Sequence, residues 1–283
     1  MNESSQHPPI ILAPAGNRAA FLAALAAGAD AIYCGLKSMS ARMEAKNFSL
    51  EELAQLVALA HDRKVKVYVT VNALLKPDEL DRVGQMIDLL ARQVQPDVLI
   101  VQDLGMVALA RQVGFAGEIH LSTLANVSFP AALGFIARTL PVACVVVPRE
   151  LSIDEIKAMG KACPKTMEIE TFLHGALCYG VSGRCYWSSY MGGRSSLRGR
   201  CVQPCRRYYR QEGRTARRFS CQDYSVDVLV KILGQVKKVR SWKIEGRKKG
   251  PHYVYYTVSG YKLLRDPGQD NQAKRDALDL LPQ

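Results

Sequence analysis

The chain has 283 residues, of which 48% are hydrophobic and 23% charged, a composition typical of a globular protein and unlike that of a disordered chain. No apolar run approaches the roughly 18 residues that a membrane span requires, and the polar start, MNESSQHP, does not resemble a secretory signal. The net charge of +12 favours a polyanionic partner. We therefore expect a cytoplasmic protein with no membrane partner.

The first 175 residues alternate between predicted strands and amphipathic helices. Short apolar or β-branched runs predict seven strands, at residues 9–16, 30–35, 65–74, 98–104, 118–124, 142–148 and 167–173. Helices are predicted between them, at residues 17–28, 49–62, 77–93, 105–113, 130–139 and 152–161. Two of these helices begin with an S-x-x-E capping box, at Ser49 and at Ser152. A helix at 225–239, an eighth strand at 241–245 and a last helix at 251–264 are predicted after a long interruption.

Eight strands that alternate with helices predict an α/β fold, the (β/α)8 TIM-type barrel. A doubly wound sheet is the alternative, but no G-x-G-x-x-G follows the first strand. We assign residues 1–265 to the barrel and residues 266–283, which lack a periodic apolar face, to a polar tail or a linker to a further domain. The interruption, residues 174–222, is inserted after strand seven and is predicted to lie across the barrel mouth, where barrel enzymes place their chemistry.

Cysteines are concentrated in this insertion. Three of the eight, Cys34, Cys144 and Cys163, lie in or beside apolar segments and are expected to be core residues. The other five are Cys178, Cys185, Cys201, Cys205 and Cys221, with spacing C-x6-C-x15-C-x3-C-x15-C. Structural zinc sites pair their ligands at C-x2–4-C, and only one pair here does so. The spacing favours an iron–sulfur cluster, with zinc, disulfides or free thiols as alternatives.

Positive charge is concentrated in the same segment. Ten arginines and one acidic residue lie between Cys178 and Cys221, which accounts for +9 of the net charge, and seven aromatic residues are interspersed. Arginine with aromatics suits phosphate contacts and base stacking, although a solvated basic face is the alternative. The predicted RNA-binding residues are Arg194, Arg198, Arg206, Arg207 and Tyr208.

The predicted strand ends bring polar residues to the barrel mouth. Three of them, His174, Glu245 and Arg247, are candidate catalytic residues, and Asn72 is a further candidate for the pocket. His174 can serve as a ligand or proton donor, or only orient the loop. Glu245 and Arg247 can bind a carboxylate substrate or pair with each other. No H-E-x-x-H, G-x-S-x-G or Walker motif is present.

Four segments carry a resemblance to a known family. Residues 172–206, FLHGALCYGVSGRCYWSSYMGGRSSLRGRCVQPCR, closely resemble the signature of the U32 family, whose members have long been labelled peptidases or collagenases. LAPAG at 12–16, DAIYCG at 30–35 and WKIEGR at 242–247 match as well, in order and across nearly the whole chain.

The resemblance implies a barrel that holds a [4Fe–4S] cluster on Cys178, Cys185, Cys201 and Cys205, with Cys221 as an alternative to Cys205. It also implies oxygen-independent hydroxylation of an rRNA cytidine, a tRNA wobble uridine or a ubiquinone precursor, with prephenate as a source of the hydroxyl group. Because a local charge of +9 suits RNA, we predict an RNA hydroxylase with a small carboxylate co-substrate and an unknown redox partner.

Three alternatives remain at this stage. The first is a peptidase, as the family label says. The second is a hydroxylase of a small aromatic compound such as a quinone precursor. The third is a non-catalytic RNA-binding protein whose cysteines hold structural zinc.

Overall fold

The computed structural model describes residues 8–220, 222–266 and 271–281. Eight parallel strands form a closed barrel, which confirms the predicted fold. They are β1 (Ile10–Pro14), β2 (Ala31–Gly35), β3 (Lys66–Val71), β4 (Val98–Val101), β5 (Glu118–Leu121), β6 (Cys144–Val146), β7 (Glu168–Ala176) and β11 (Val239–Ile244). Each strand pairs with the next, and β11 closes the barrel by pairing with both β7 and β1.

Helices surround this barrel. Six follow β1 to β6 in turn, namely α1 (Arg18–Ala26), α2 (Leu50–Asp62), α3 (Leu80–Leu89), α4 (Gly105–Gln112), α5 (Pro130–Thr139) and α6 (Ile153–Ala162). The predicted capping residues act as expected, since Ser49 accepts a hydrogen bond from the Glu52 amide at 3.2 Å and Ser152 forms a complete capping box with Glu155. No described helix is both long and apolar enough to cross a membrane.

The insertion contains its own short elements. These are α7 (Trp187–Gly192), the hairpin β8 (Tyr208–Gln211) and β9 (Arg214–Arg217), and β10 (Asp223–Ser225), which pairs antiparallel with the end of β7. The helix predicted at 225–239 is much shorter. β10 extends through Ser225 and β11 begins at Val239, and only a 3-10 turn and α8 (Val230–Gly234) lie between them.

The chain after the barrel differs from the prediction. α9 (Pro251–Arg265) packs beside α1, and α10 (Asn271–Leu280) forms where a polar tail or linker was expected. α10 contacts α9 at Gly260, where the backbone oxygen of Ala277 lies 2.9 Å from the place that a side chain would occupy. Ala277 and Leu281 are buried at this contact, although the helix as a whole is strongly polar in composition.

Two layers of side chains fill the fold. The larger layer lies between the strands and the helices, and a smaller cluster that includes Leu12, Tyr33 and Tyr68 fills the barrel interior. The interior also holds an ion pair, in which Lys243 Nζ lies 2.7 Å from Glu170 Oε1 and both residues are buried. Above this ion pair the barrel opens into a cavity.

Candidate active site

The mouth cavity has a volume of about 500 Å³, including its opening. Polar and charged residues from five barrel strands or the loops that follow them line it: Tyr33, Arg42, Thr70, Asn72, Ser122, Arg149, Lys243, Glu245 and Arg247. Parallel strands present their carboxyl ends to one face of a barrel, which explains why residues so distant in sequence meet here. Asn72 is among them, as predicted, and it bonds to Ser122 Oγ at 3.2 Å.

Glu245 lies at the centre of a cluster of arginines. Its carboxylate accepts hydrogen bonds from Arg42 at 3.1 Å and from Arg149 at 3.0 Å. Burial opposes its ionisation, but Arg42, Arg149 and Arg247 outweigh burial and lower its pKa to about 2. Glu245 is therefore an anion at neutral pH that holds the two guanidinium groups in place.

Arg247 does not form an ion pair with Glu245, which was one of the two predicted alternatives. It is 4% exposed and donates hydrogen bonds to Ser40 Oγ at 2.6 Å and Thr70 Oγ1 at 2.9 Å. Gly35 makes room for it, because a Cβ at that position would lie 2.4 Å from the Arg247 guanidinium. Arg247 thus contributes positive charge to the cavity while its hydrogen bonds fix it to the wall.

Lys243 forms part of the cavity floor. Its ammonium group lies 4.3 Å from the centre of the Tyr33 ring, in addition to its ion pair with Glu170. The sequence placed Arg149 at the barrel mouth, because it follows a predicted strand, but did not select Arg42 or Lys243. Lys243 lies inside a predicted strand, and Arg42 lies in a loop that carries no motif of its own.

His174 lies away from the mouth cavity. Its ring packs between Tyr253 and Tyr261 of α9, with both ring centroids at 5.8 Å, and its Nδ1 lies 3.4 Å from the Tyr261 hydroxyl. The side chain is 2% exposed and is not among the residues that line the cavity. The geometry therefore places the His174 side chain between barrel and helix. His174 meets Glu245 through the backbone, where the Glu245 N–H donates to the His174 oxygen at 2.8 Å.

Four cysteines of the insertion line a second cavity of about 570 Å³, including its opening. They are Cys178, Cys185, Cys201 and Cys205, and all four are free thiols. This cysteine cavity shares Ala41, Arg42, Leu124 and Cys178 with the mouth cavity, so the two cavities are adjacent. Burial raises the pKa of the Cys205 thiol, and the proximity of Cys178, Cys201 and Cys185 raises it further.

Four thiols are a suitable donor set for two kinds of metal site. A single zinc ion takes four ligands at about 2.3 Å from one point, whereas an iron–sulfur cluster takes each thiolate on a different metal atom. Among the described residues, no three His, Cys, Asp or Glu side chains are grouped to hold a metal ion. Cys221, the alternative fourth ligand, lies outside the described residues.

The insertion is fixed to the barrel by close backbone contacts. Gly183 and Gly199 have φ of +73° and +77°, and a Cβ on either would lie 2.0 Å from a backbone oxygen of the barrel loops, that of Leu124 or of Ser40. Only glycine tolerates both the conformation and the approach. These two contacts therefore hold the insertion against the barrel loops with no space for a side chain.

The predicted RNA-binding residues fall into two groups. Arg198 forms a two-point ion pair with Glu79, at 2.6 and 2.8 Å, and Arg206 pairs with Asp223 at 2.6 Å. These two arginines hold the insertion in place. Arg194 is more exposed and pairs with Glu44 at 2.8 Å.

The second group lies on the hairpin surface. Arg207 and Tyr208 are exposed there, and so are Arg210, Arg214, Arg217 and Arg218. Arg217 lies over the Tyr208 ring at 5.1 Å. Some aromatic residues of the insertion pack against one another: Trp187 lies edge-on against Phe219, with ring centroids 4.7 Å apart, and beside Tyr209. The hairpin is therefore the face that is available to a polyanion.

A closed (β/α)8 barrel whose mouth is covered by a cysteine-rich insertion defines the class of this protein. The model of peptidase family U32 matches residues 16–281. A solved U32 peptidase structure superposes with a TM-score of 0.59 at 15% identity, covering 87% of this chain and 96% of the other, which shows a shared fold. The chain belongs to peptidase family U32.

Named relatives in this family differ in function. An uncharacterized protease of Methanocaldococcus jannaschii is 34% identical over 268 residues, 90% of this chain and 65% of that protein. The 23S rRNA 5-hydroxycytidine C2501 synthase of Escherichia coli is 35% identical over 271 residues, 93% of this chain and 40% of that protein. The tRNA hydroxylation protein P1 of Bacillus subtilis is 33% identical over 270 residues, with coverages of 91% and 63%. The chain thus spans less than two thirds of each relative.

Proposed function

We propose that this chain is the catalytic barrel of an oxygen-independent RNA hydroxylase that holds a [4Fe–4S] cluster on Cys178, Cys185, Cys201 and Cys205. The observation that carries the proposal is that the cysteine cavity and the charged mouth cavity are adjacent and share Cys178 and Arg42 as lining residues. A redox group in the first cavity would be adjacent to a substrate in the second. The names of the E. coli and B. subtilis relatives support RNA as the substrate.

The residues of the mouth cavity suit an anionic co-substrate. Arg42, Arg149, Lys243 and Arg247 supply four positive charges, against Glu245 and the buried Glu170. The excess of two charges matches a dicarboxylate such as prephenate, which we propose as the hydroxyl source. Glu245 holds one guanidinium nitrogen each of Arg42 and Arg149, so the other N–H groups of these arginines can bind a substrate carboxylate in the cavity.

The target base must leave its helix to reach this cavity. The mouth lies beneath the insertion, so a paired base is out of reach, and an unpaired or flipped base is required. The exposed arginines of the hairpin would bind the flanking phosphates. When bound, the cluster would supply the redox chemistry, and the side chains of the mouth would orient the base and keep water out.

No feature of the described site favours peptide hydrolysis. Histidine is absent from the described residues that line the mouth cavity, and Ser122 bonds to an amide, that of Asn72, instead of a base. An activated nucleophile requires an adjacent general base. Hydroxylation of a small aromatic compound would use the same site, and a substrate assay distinguishes it from RNA hydroxylation.

The test is an anaerobic assay on defined substrates. The protein is incubated with unmodified rRNA or tRNA, with and without prephenate, and the digested nucleosides are analysed by mass spectrometry. We expect one nucleoside to gain the mass of one oxygen atom, and Cys185→Ser, used as the matched control, to yield none. Equal product from Cys185→Ser, or cleavage of peptides with intact RNA nucleosides, would contradict the proposal.

A further inference from the structure

A third cavity lies beside the mouth cavity, on the side of the last two barrel strands. Its volume is about 840 Å³, including its opening. Its residues come from the end of β7, the loop after β11, the insertion and the loop after β2: Ala176, Gly246, Lys248, Lys249, Gln203, Arg206, Arg217, Arg42 and Glu245. Arg42 and Glu245 also line the mouth cavity, so the two cavities meet at this pair.

The charge of this cavity is strongly positive. Five cations line it, Arg42, Arg206, Arg217, Lys248 and Lys249. Two carboxylates oppose them: Glu245 lines the cavity, and Asp223 pairs with Arg206 at 2.6 Å and with Lys249 at 2.8 Å. The named side chains therefore have an excess of three positive charges around a space that is open to solvent.

Its position is the second observation. In (β/α)8 barrels the loops after strands seven and eight frequently form a phosphate-binding site. Here β7 and β11 are the seventh and eighth barrel strands, and Ala176, Gly246, Lys248 and Lys249 come from their ends. The insertion adds Arg206 and Arg217 to this site from above.

We infer that this basic pocket binds a phosphate group of the RNA next to the target base. The inference rests on the proposed function and adds where the RNA backbone binds. A phosphate seated between Lys248 and Arg217 would leave the attached nucleoside at the shared edge formed by Arg42 and Glu245, from which a flipped base enters the mouth cavity. The pocket positions the nucleotide and takes no part in the redox step.

The test compares two double variants that lose the same charge. Arg217→Ala with Lys248→Ala removes two cations of the pocket, and Arg138→Ala with Lys231→Ala removes two exposed cations elsewhere. Binding of a fluorescein-labelled single-stranded RNA is measured by anisotropy across a range of salt concentrations. We expect the pocket variant to bind about tenfold more weakly, with a salt slope smaller by about 0.7, because one phosphate contact is lost. The control should match the wild type.

Additional measurements separate the causes. Iron content and thermal melting verify that the pocket variant folds, and Lys248→Arg should retain the affinity because it keeps the charge. If the pocket variant binds RNA like the control, the inference is overturned. A higher KM for prephenate with unchanged RNA affinity would also overturn it, by assigning the pocket to the carboxylate.

Failure of the proposed function would give a different pattern. If the wild type binds no RNA, the thermal shift caused by inorganic phosphate, compared with chloride at equal ionic strength, becomes the deciding measurement. A shift in the wild type that is lost in the pocket variant would retain an oxyanion site in this pocket while the RNA hydroxylase proposal falls. Equal shifts in the wild type and in the pocket variant would overturn the oxyanion site as well as the RNA hydroxylase proposal.

Discussion

Glu245→Gln tests whether one carboxylate organises the mouth cavity. The substitution keeps the shape of the side chain but leaves Arg42 and Arg149 without their buried counter-charge. The difference between a pKa of about 2 and the ordinary value of 4.5 corresponds to about 3 kcal/mol. Loss of one partner of a buried ion pair has a similar cost, about 3 to 5 kcal/mol. We expect the melting temperature to fall by about 6 to 12 °C.

The assay is thermal unfolding under anaerobic conditions at neutral pH. Asp154→Asn is the control, because its ion pair with Lys157 is exposed and should contribute less than about 1 kcal/mol. The folded-state pKa of Glu245 is lowered, so its stabilisation is complete above about pH 4.5 and decreases as the pH falls toward 2. The deficit of the variant should therefore be constant through the neutral range. A deficit no larger than that of Asp154→Asn would refute this account of the site.

Three further predictions concern the insertion. Cys185→Ser should lose iron and sulfide, whereas Cys163→Ser should keep both, because Cys163 bonds to a backbone oxygen of the barrel; equal loss would undo the ligand assignment. Arg207→Ala should lower the salt slope of RNA binding by about 0.7. Arg198→Ala should instead leave the slope unchanged and lower the melting temperature, because Arg198 forms an ion pair with Glu79. The reverse pattern would contradict the division into exposed and structural arginines. Gly183→Ala should expose the cysteine cavity and speed cluster loss in air, since its Cβ would lie 2.0 Å from a backbone oxygen; unchanged loss would show that the contact is dispensable.

The fold was predictable because its signals are local. Buried β-branched runs mark the barrel strands, and the capping serines mark where helices begin. α10 was missed because it packs through Ala277 and Leu281 on a glycine, a contact with little apolar pattern. Such a contact is visible only once α9 is in place.

The site was predictable only in part, and His174 shows why. Phe172 lines the mouth cavity, so strict alternation along β7 would also turn His174 inward. The register between β7 and β11 shifts at this point: Phe172 pairs with Lys243, but His174 pairs with the next residue, Ile244. The extra residue turns His174 toward α9, and no sequence pattern announces such a bulge.

The role of individual arginines could not be predicted from the sequence for a related reason. Density and spacing predicted an RNA-binding segment, but they do not tell which arginines meet an acid in the folded chain. Arg198 and Arg206 find Glu79 and Asp223, whereas Arg207 stays exposed. Contacts between such distant positions depend on the closed barrel.

The measurement that tests the central claim most directly is the metal content of the anaerobically purified protein. Iron, acid-labile sulfide and zinc are determined per chain. We predict about four iron and four sulfide, the content of one cubane on the four cysteines of the insertion. One zinc per chain with no sulfide would contradict the redox proposal and leave a protein with a structural metal at the barrel mouth.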